Sequence, residues 1–208
     1  IGGGGKARWF QKAITLFQQL KTLNPHYQSL YLYLAEALQE EEQLEEAKAV
    51  IEEGIAENPF QVELYQFASE NAYRLHDIAG AENWLLKALE LGEKTDESRL
   101  TLSNLYITEE RFEEVITILN DLEETDHPYA EWNLAKAYNE LENFAVAKVH
   151  YEQAAQELSH EPEFLKEYAL FLREEGELEK AKHLLHHYLE HEPGDVDMQS
   201  VLADMEER

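Results

Sequence analysis

Trp132–Ala155 reads W-N-L-A-K-A-Y-N-E-L-E-N-F-A-V-A-K-V-H-Y-E-Q-A-A. The spacing of its apolar residues predicts two amphipathic helices joined by a polar turn, Asn139 to Asn143. Small and large apolar side chains alternate, as two helices in close approach require. Most of the remaining chain restates this unit.

The restatement is periodic, and a period of this length marks a repeat architecture. One small position recurs as Ala13, Ala47, Ala81, Val115, Ala147 and Ala181, at intervals of 34, 34, 34, 32 and 34. Three residues before it comes a large apolar series: Phe10, Leu44, Ile78, Phe112, Phe144 and Leu178. Four residues after it comes another: Phe17, Ile51, Leu85, Leu119, Tyr151 and Leu185. Offsets of three and four put all three on one helical face. A second helix carries Leu34, Ala68, Leu102, Leu134, Tyr168 and Leu202, each followed by a small residue. Pro25, Pro59, Pro162 and Pro193 stand where units close.

These residues resemble the tetratricopeptide repeat, a 34-residue helix–turn–helix unit. Tyr31, Leu34, Ala35, Leu38, Ala47, Ile51, Gly54 and Pro59 fill the family's pattern in the first full repeat. Leu134, Ala135, Tyr138, Ala147, Tyr151 and Ala154 do so in the fourth. The resemblance implies an all-α right-handed solenoid of about 12 helices. Its expected layout is a lone second helix at 7–24 and full repeats at 28–61, 62–95, 96–127, 128–161 and 162–195. A capping half repeat then occupies 196–208, all in one array. Ile1–Lys6 reads as a flexible Gly-rich linker or remnant: Ala7 follows Lys6 where a phosphate loop needs Ser or Thr.

Several positions depart from the family pattern. The third unit is two residues short, and the series places the loss in the link from Glu123 to Pro128. Tyr188 is bulky where Ala is usual, and Glu93 replaces a turn proline. Arg99 and Glu131 stand where an aromatic would lead, with Trp132 a partial substitute. Val201, Leu202 and Met205 give the last helix an apolar stripe suited to a cap. Trp9, Phe10, Ile14 and Phe17 have no helix before them, which implies a longer array or self-association through that face.

The net charge of -27, from 17 basic and 44 acidic residues, disfavours nucleic acid and anionic membranes. It also suits an array kept soluble, or one that steers a basic partner. With no cysteine, neither disulfides nor thiolate metal sites form. No apolar run reaches the roughly 20 residues that span a bilayer. A cytoplasmic protein without a cofactor is the expectation.

Chemistry is sparse. His183, His186, His187 and His191 lie on one helix; the 183/187 and 187/191 pairs have ligand spacing, and an adventitious metal patch is the expectation. Glu40–Glu42 reads as a solvated turn rather than a cation loop. No nucleophile–base pattern stands out, so an enzyme is not expected. Tyr138, Tyr151, Phe112 and Phe144 read as core.

The resemblance places function on the first helices, which line a concave groove in such arrays. Carried over position by position, the lining begins with Leu32, Tyr33 and Glu36, then Gln66, Tyr73 and Arg74 beside Phe67. Leu100, Asn104 and Ile107 follow, then Trp132, Lys136 and Asn139, then Lys166, Leu170 and Arg173. Apolar anchors among amides suit an extended peptide. Lys136, Lys166 and Arg173 raise the further expectation of an acidic ligand in the C-terminal half, with Glu140, Glu163 and Glu174 near enough to oppose it. The carboxylate clamp of chaperone-binding members is absent, because its places hold Leu32, Glu36, Phe67, Glu97 and Thr101. The alternative is a structural module docking through its convex face or N-terminal end.

Overall fold

The computed structural model describes residues 3–24, 27, 29–92, 95–122 and 127–207, with side chains from Trp9 onward. Twelve α-helices and no strand occur among them. In order they are α1 (Gly3–Leu23), α2 (Leu30–Glu40), α3 (Leu44–Glu57), α4 (Val62–Arg74), α5 (Ile78–Glu90) and α6 (Thr95–Thr108). Then come α7 (Phe112–Leu119), α8 (Pro128–Glu140), α9 (Phe144–Leu158), α10 (Pro162–Glu174), α11 (Leu178–His191) and α12 (Val196–Glu206). The chain divides into two compact units, 1–109 with 121–123 and 110–120 with 124–208. The division falls in the repeat that is two residues short, whose second helix, α7, has only 8 residues.

The small periodic position forms the seam of each hairpin. Ala47, Ala81, Val115, Ala147 and Ala181 are all at most 1% exposed. One turn further along, Ile51, Leu85, Tyr151 and Leu185 are equally buried. Each such aliphatic side chain contributes about 1.5–3 kcal/mol by leaving water. Gly54 marks the closest approach: a Cβ there would lie 2.6 Å from the Tyr31 Cβ. The earlier large series sits at the rim of the stack instead. Leu44, Ile78, Phe112 and Leu178 are half-buried, and Phe144 is 42% exposed. Phe144 is therefore not the core residue that periodicity implied, because it opens α9, where the stripe runs out beyond the turn. Tyr138 and Phe112 are likewise only half-buried, whereas Tyr151 is core.

The turns within repeats share one device. Glu42, His76, Glu110, Glu142 and Gly176 all have positive φ, between 57° and 80°. At four of them the next residue's N–H reaches back five residues, as Gln43 to Leu38, Asp77 to Ala72, Asn143 to Tyr138 and Glu177 to Leu172. This pattern closes a helix by satisfying its last carbonyls. Only one of the five is glycine, so the sequence did not advertise the position.

The N-terminal end differs from expectation. Gly3–Lys6 lies within α1, where a flexible linker was expected. Glycine is a poor helix former, so the apolar contacts further along hold this helix. Phe10, Ile14 and Phe17 pack against Leu34, Leu38 and Ala47, leaving Trp9 and Leu16 63% and 62% exposed. At the other end Met198, Leu202 and Met205 of α12 are buried in the cluster built by α8–α11. Pro162, read as closing a unit, is the first residue of α10, a place where its missing N–H costs nothing. The expectations for Pro25, Glu93 and residues 123–126 of the short link lie outside the described residues.

Candidate functional site

In the N-terminal unit the first helices α4 and α6 flank a groove of about 610 Å³, floored by α5. The sequence of α4 explains its two faces. Val62, Leu64, Tyr65, Ala68 and Ala72 are buried, so Gln66, Glu70 and Tyr73 turn elsewhere, at helical offsets of four and three. Gln66, Tyr73 and Asn104, three of the expected lining residues, come together here, with Phe67 beside them. Phe67, Ala81, Leu85 and Leu105 make the surface apolar, and Glu63, Glu70 and Glu97 supply carboxylates. Among the described residues no Lys, Arg or His lines it. The Gln66 amide donates to the Ser98 hydroxyl at 3.3 Å, linking α4 to α6.

The other expected residues of this unit lie outside the groove lining. Tyr33 is half-exposed and stacks on Phe17, with ring centroids 5.8 Å apart. Leu32 packs at the edge of the Leu30, Tyr31 and Leu64 cluster. Glu36 is exposed, while Leu100 and Ile107 are half-buried on α6. Arg74 donates to the Gln39 carbonyl at 2.7 Å and to Glu42 at 2.9 Å, which ties α4 to the C-terminal end of α2. Beside it buried Asn71 donates to the Leu44 carbonyl at 2.9 Å and accepts from Gln39 at 3.2 Å. Within the acidic run Glu42 thus serves a repeat junction, and Glu41 accepts from Gln11 at 3.0 Å.

The C-terminal unit treats the same positions differently. Glu167 of α10 collects three donors from α8 and α9: the Trp132 indole at 2.9 Å, the Tyr151 hydroxyl at 2.8 Å and the Lys136 ammonium at 3.3 Å. Lys136 also lies 4.0 Å from the centre of the Trp132 ring, and that ring meets Phe164 edge-on. Burial, then the neighbouring Glu167 charge, pushes the Tyr151 hydroxyl well above its usual pKa. Burial likewise lifts Tyr168 to about 12.

Lys166 is engaged at the next junction. Asp195 caps α12 through the Met198 N–H at 3.1 Å and accepts from Tyr188 at 2.7 Å and Lys166 at 2.9 Å. The bulky Tyr188 is thereby explained: it reaches the cap of the next helix. These bonds, the Tyr188 hydroxyl foremost, hold the Asp195 carboxyl at about 2. Arg173 lies 4.0 Å from Glu174, Leu170 packs on the core cluster, and Asn139 is half-buried. The cations behind the expected acidic preference therefore all face carboxylates of this chain.

The remaining candidates bring little chemistry together. His183 and His191 are exposed, His187 contacts His191 and His186 lies 3.4 Å from Glu206. Among the described residues no three metal-ligating side chains converge. No described helix is long and apolar enough to cross a membrane.

Paired helices with a small-residue seam, and first helices facing a groove, define a repeat class whose members present surfaces to other proteins. The chain belongs to the tetratricopeptide-repeat family. The profile described as tetratricopeptide repeat matches residues 7–69, and that of the YpiA-like, C-terminal tetratricopeptide repeats matches residues 128–195. Its similarity extends to the TPR repeat-containing protein YpiA of Bacillus subtilis strain 168, at 32% identity over 197 residues. That match takes in 94% of this chain and 47% of YpiA, so the chain spans about half the length of this curated relative. Among solved structures, PilF of Pseudomonas aeruginosa superposes with a TM-score of 0.75 at 14% identity, over 96% of this chain and 99% of that one. YrrB, described as a tetratricopeptide-repeat protein with an unusual peptide-binding site, gives 0.66 at 14% identity, over 89% and 96%. These two likenesses concern the fold.

Proposed function

We propose that the chain is a protein-binding scaffold that seats a peptide segment of its partner on its first helices, at the groove between α4 and α6. One observation carries this reading: Gln66, Tyr73 and Asn104, from two first helices, border a single concavity of about 610 Å³ with apolar walls. That volume lies within the range of ligand-binding clefts. The walls come from packed helices, so the groove is formed before the partner arrives, which lowers the ordering cost of binding. The peptide-binding site described for YrrB supports the reading through fold alone.

Panning a random peptide display library on the immobilised chain tests it. Selected peptides should lose binding to a Tyr73→Ala, Asn104→Ala variant. Equal binding to that variant, or no enrichment, would overturn the reading.

A second reading rests on the exposed Trp9 and Leu16 of α1. In it the chain acts as a structural module whose copies meet through α1. Light scattering over a concentration series should then show a dimer that Trp9→Ser abolishes; a monomer throughout removes the idea.

A further inference from the structure

Accepting the groove reading, we infer that the partner segment is basic, with a large apolar side chain flanked by Lys or Arg. The groove between α4 and α6 offers two recognition chemistries at once. Phe67, Leu85 and Leu105 give an apolar seat, and half-exposed Tyr73 stands at its edge. Glu63, Glu70 and Glu97 border it without any lining cation, and neither Glu70 nor Glu97 has an ion-pair partner among the described residues.

Arg74, the cation that the repeat frame put on this surface, is held by α2 instead. Among the described lining residues none carries a positive charge, and low-dielectric walls concentrate a negative field in a cleft. The carboxylates do not converge tightly enough to hold one metal ion, so a cation carried on a chain fits them better than a free one.

A further observation points to an occupant. Ser69 lines the groove, is only 3% exposed and makes no hydrogen bond among the described residues. Its hydroxyl is open to the groove, where a backbone group of a bound segment can bond to it. The apolar seat, the Ser69 hydroxyl and the carboxylates of Glu70 and Glu97 thus select one occupant, a basic–apolar peptide. An acidic peptide would meet repulsion from Glu70 and Glu97.

Fluorescence anisotropy of the full chain with labelled synthetic probes decides the matter. The first probe has a Trp flanked on each side by two Arg in a Gly-Ser frame. The others replace the Arg by Ser, or by Glu, or replace the Trp by Ser. The Arg-flanked Trp probe should bind tightest and weaken as salt is added. Glu70→Gln with Glu97→Gln should weaken it about tenfold, as loss of two close opposite charges implies.

The charge-matched pair Glu152→Gln with Glu157→Gln, exposed on α9 and outside the groove lining, should leave it within about twofold, because salt screens attraction that is not made at close range. Equal weakening by both pairs would mean diffuse attraction by an acidic protein and would overturn the inference. Ser-flanked or Glu-flanked Trp probes that bind as well, while still sensitive to Tyr73→Ala and Asn104→Ala, would overturn the basic preference and keep the groove. Binding of every probe that ignores Tyr73 and Asn104, or no binding at all, would overturn both.

Discussion

The two units place polar and aromatic side chains at equivalent positions of their first helices and use them differently. On α4 and α6, Gln66, Tyr73 and Asn104 edge an open groove where Glu70 and Glu97 have no ion-pair partner among the described residues. On α8 and α10, Trp132 and Lys136 converge on Glu167, and Lys166 goes to Asp195. The first face keeps an open groove between its helices; on the second these side chains are spent on joining repeats. A repeat frame fixes where a side chain stands, but availability depends on what the neighbouring repeat offers within hydrogen-bond reach.

The comparison can be broken most strongly at Glu167. Glu167→Ala leaves the buried Tyr151 hydroxyl and the Trp132 indole without their acceptor. The expected loss is about 2–3 kcal/mol, read by urea denaturation followed by circular dichroism. Glu167→Gln should lose less, because one acceptor oxygen remains. An unchanged midpoint for Glu167→Ala would show that these donors do not hold the C-terminal unit.

Asp195 sharpens the comparison through pH. Its carboxyl falls from an ordinary 3.8 to about 2 in the folded chain. A depressed carboxyl stabilises the fold above its unfolded value and loses that contribution as pH falls through the folded one. Hydrogen exchange of α12 should therefore accelerate between about pH 4 and 2, ahead of α4. Asp195→Asn should remove that acceleration; identical acid responses of α12 in both proteins would contradict the assignment.

The smallest effect concerns the turns. His76→Gly relieves a positive φ in the N-terminal unit, whereas Gly176→Glu imposes one in the C-terminal unit. Shifts of about 0.5–1 kcal/mol in opposite directions are expected, measured by thermal melts. Equal signs would mean that the turn residue's backbone does not govern either unit.

These contrasts show how far the sequence could be read. Ala47, Ala81, Ala147 and Ala181 lie in the seam because burial and a 34-residue period act on the same residues. Gln66, Tyr73 and Asn104 could be placed together by the repeat frame that the family resemblance supplies, and helical spacing agrees in putting them off the buried face. The fate of Arg74, Lys136 and Lys166 could not. Their partners lie about one repeat away, at Glu42, Glu167 and Asp195, and a side chain's choice between solvent and such a partner leaves no periodic trace. Tyr188 was visible as a departure, yet its reason, the cap of α12, needed the fold. The αL turns stayed hidden because Glu42, His76, Glu110 and Glu142 are not residues that mark such a conformation.

The central claim is that partner recognition belongs to the α4–α6 face and not to the α8–α10 face. Amide chemical-shift mapping of the full chain, titrated with the Arg-flanked Trp probe, tests it most directly. Perturbations should gather on Gln66, Glu70, Tyr73, Glu97 and Asn104 and leave Trp132, Lys136 and Lys166 unmoved. Perturbations centred on Trp132, Lys136 and Lys166 would contradict the account.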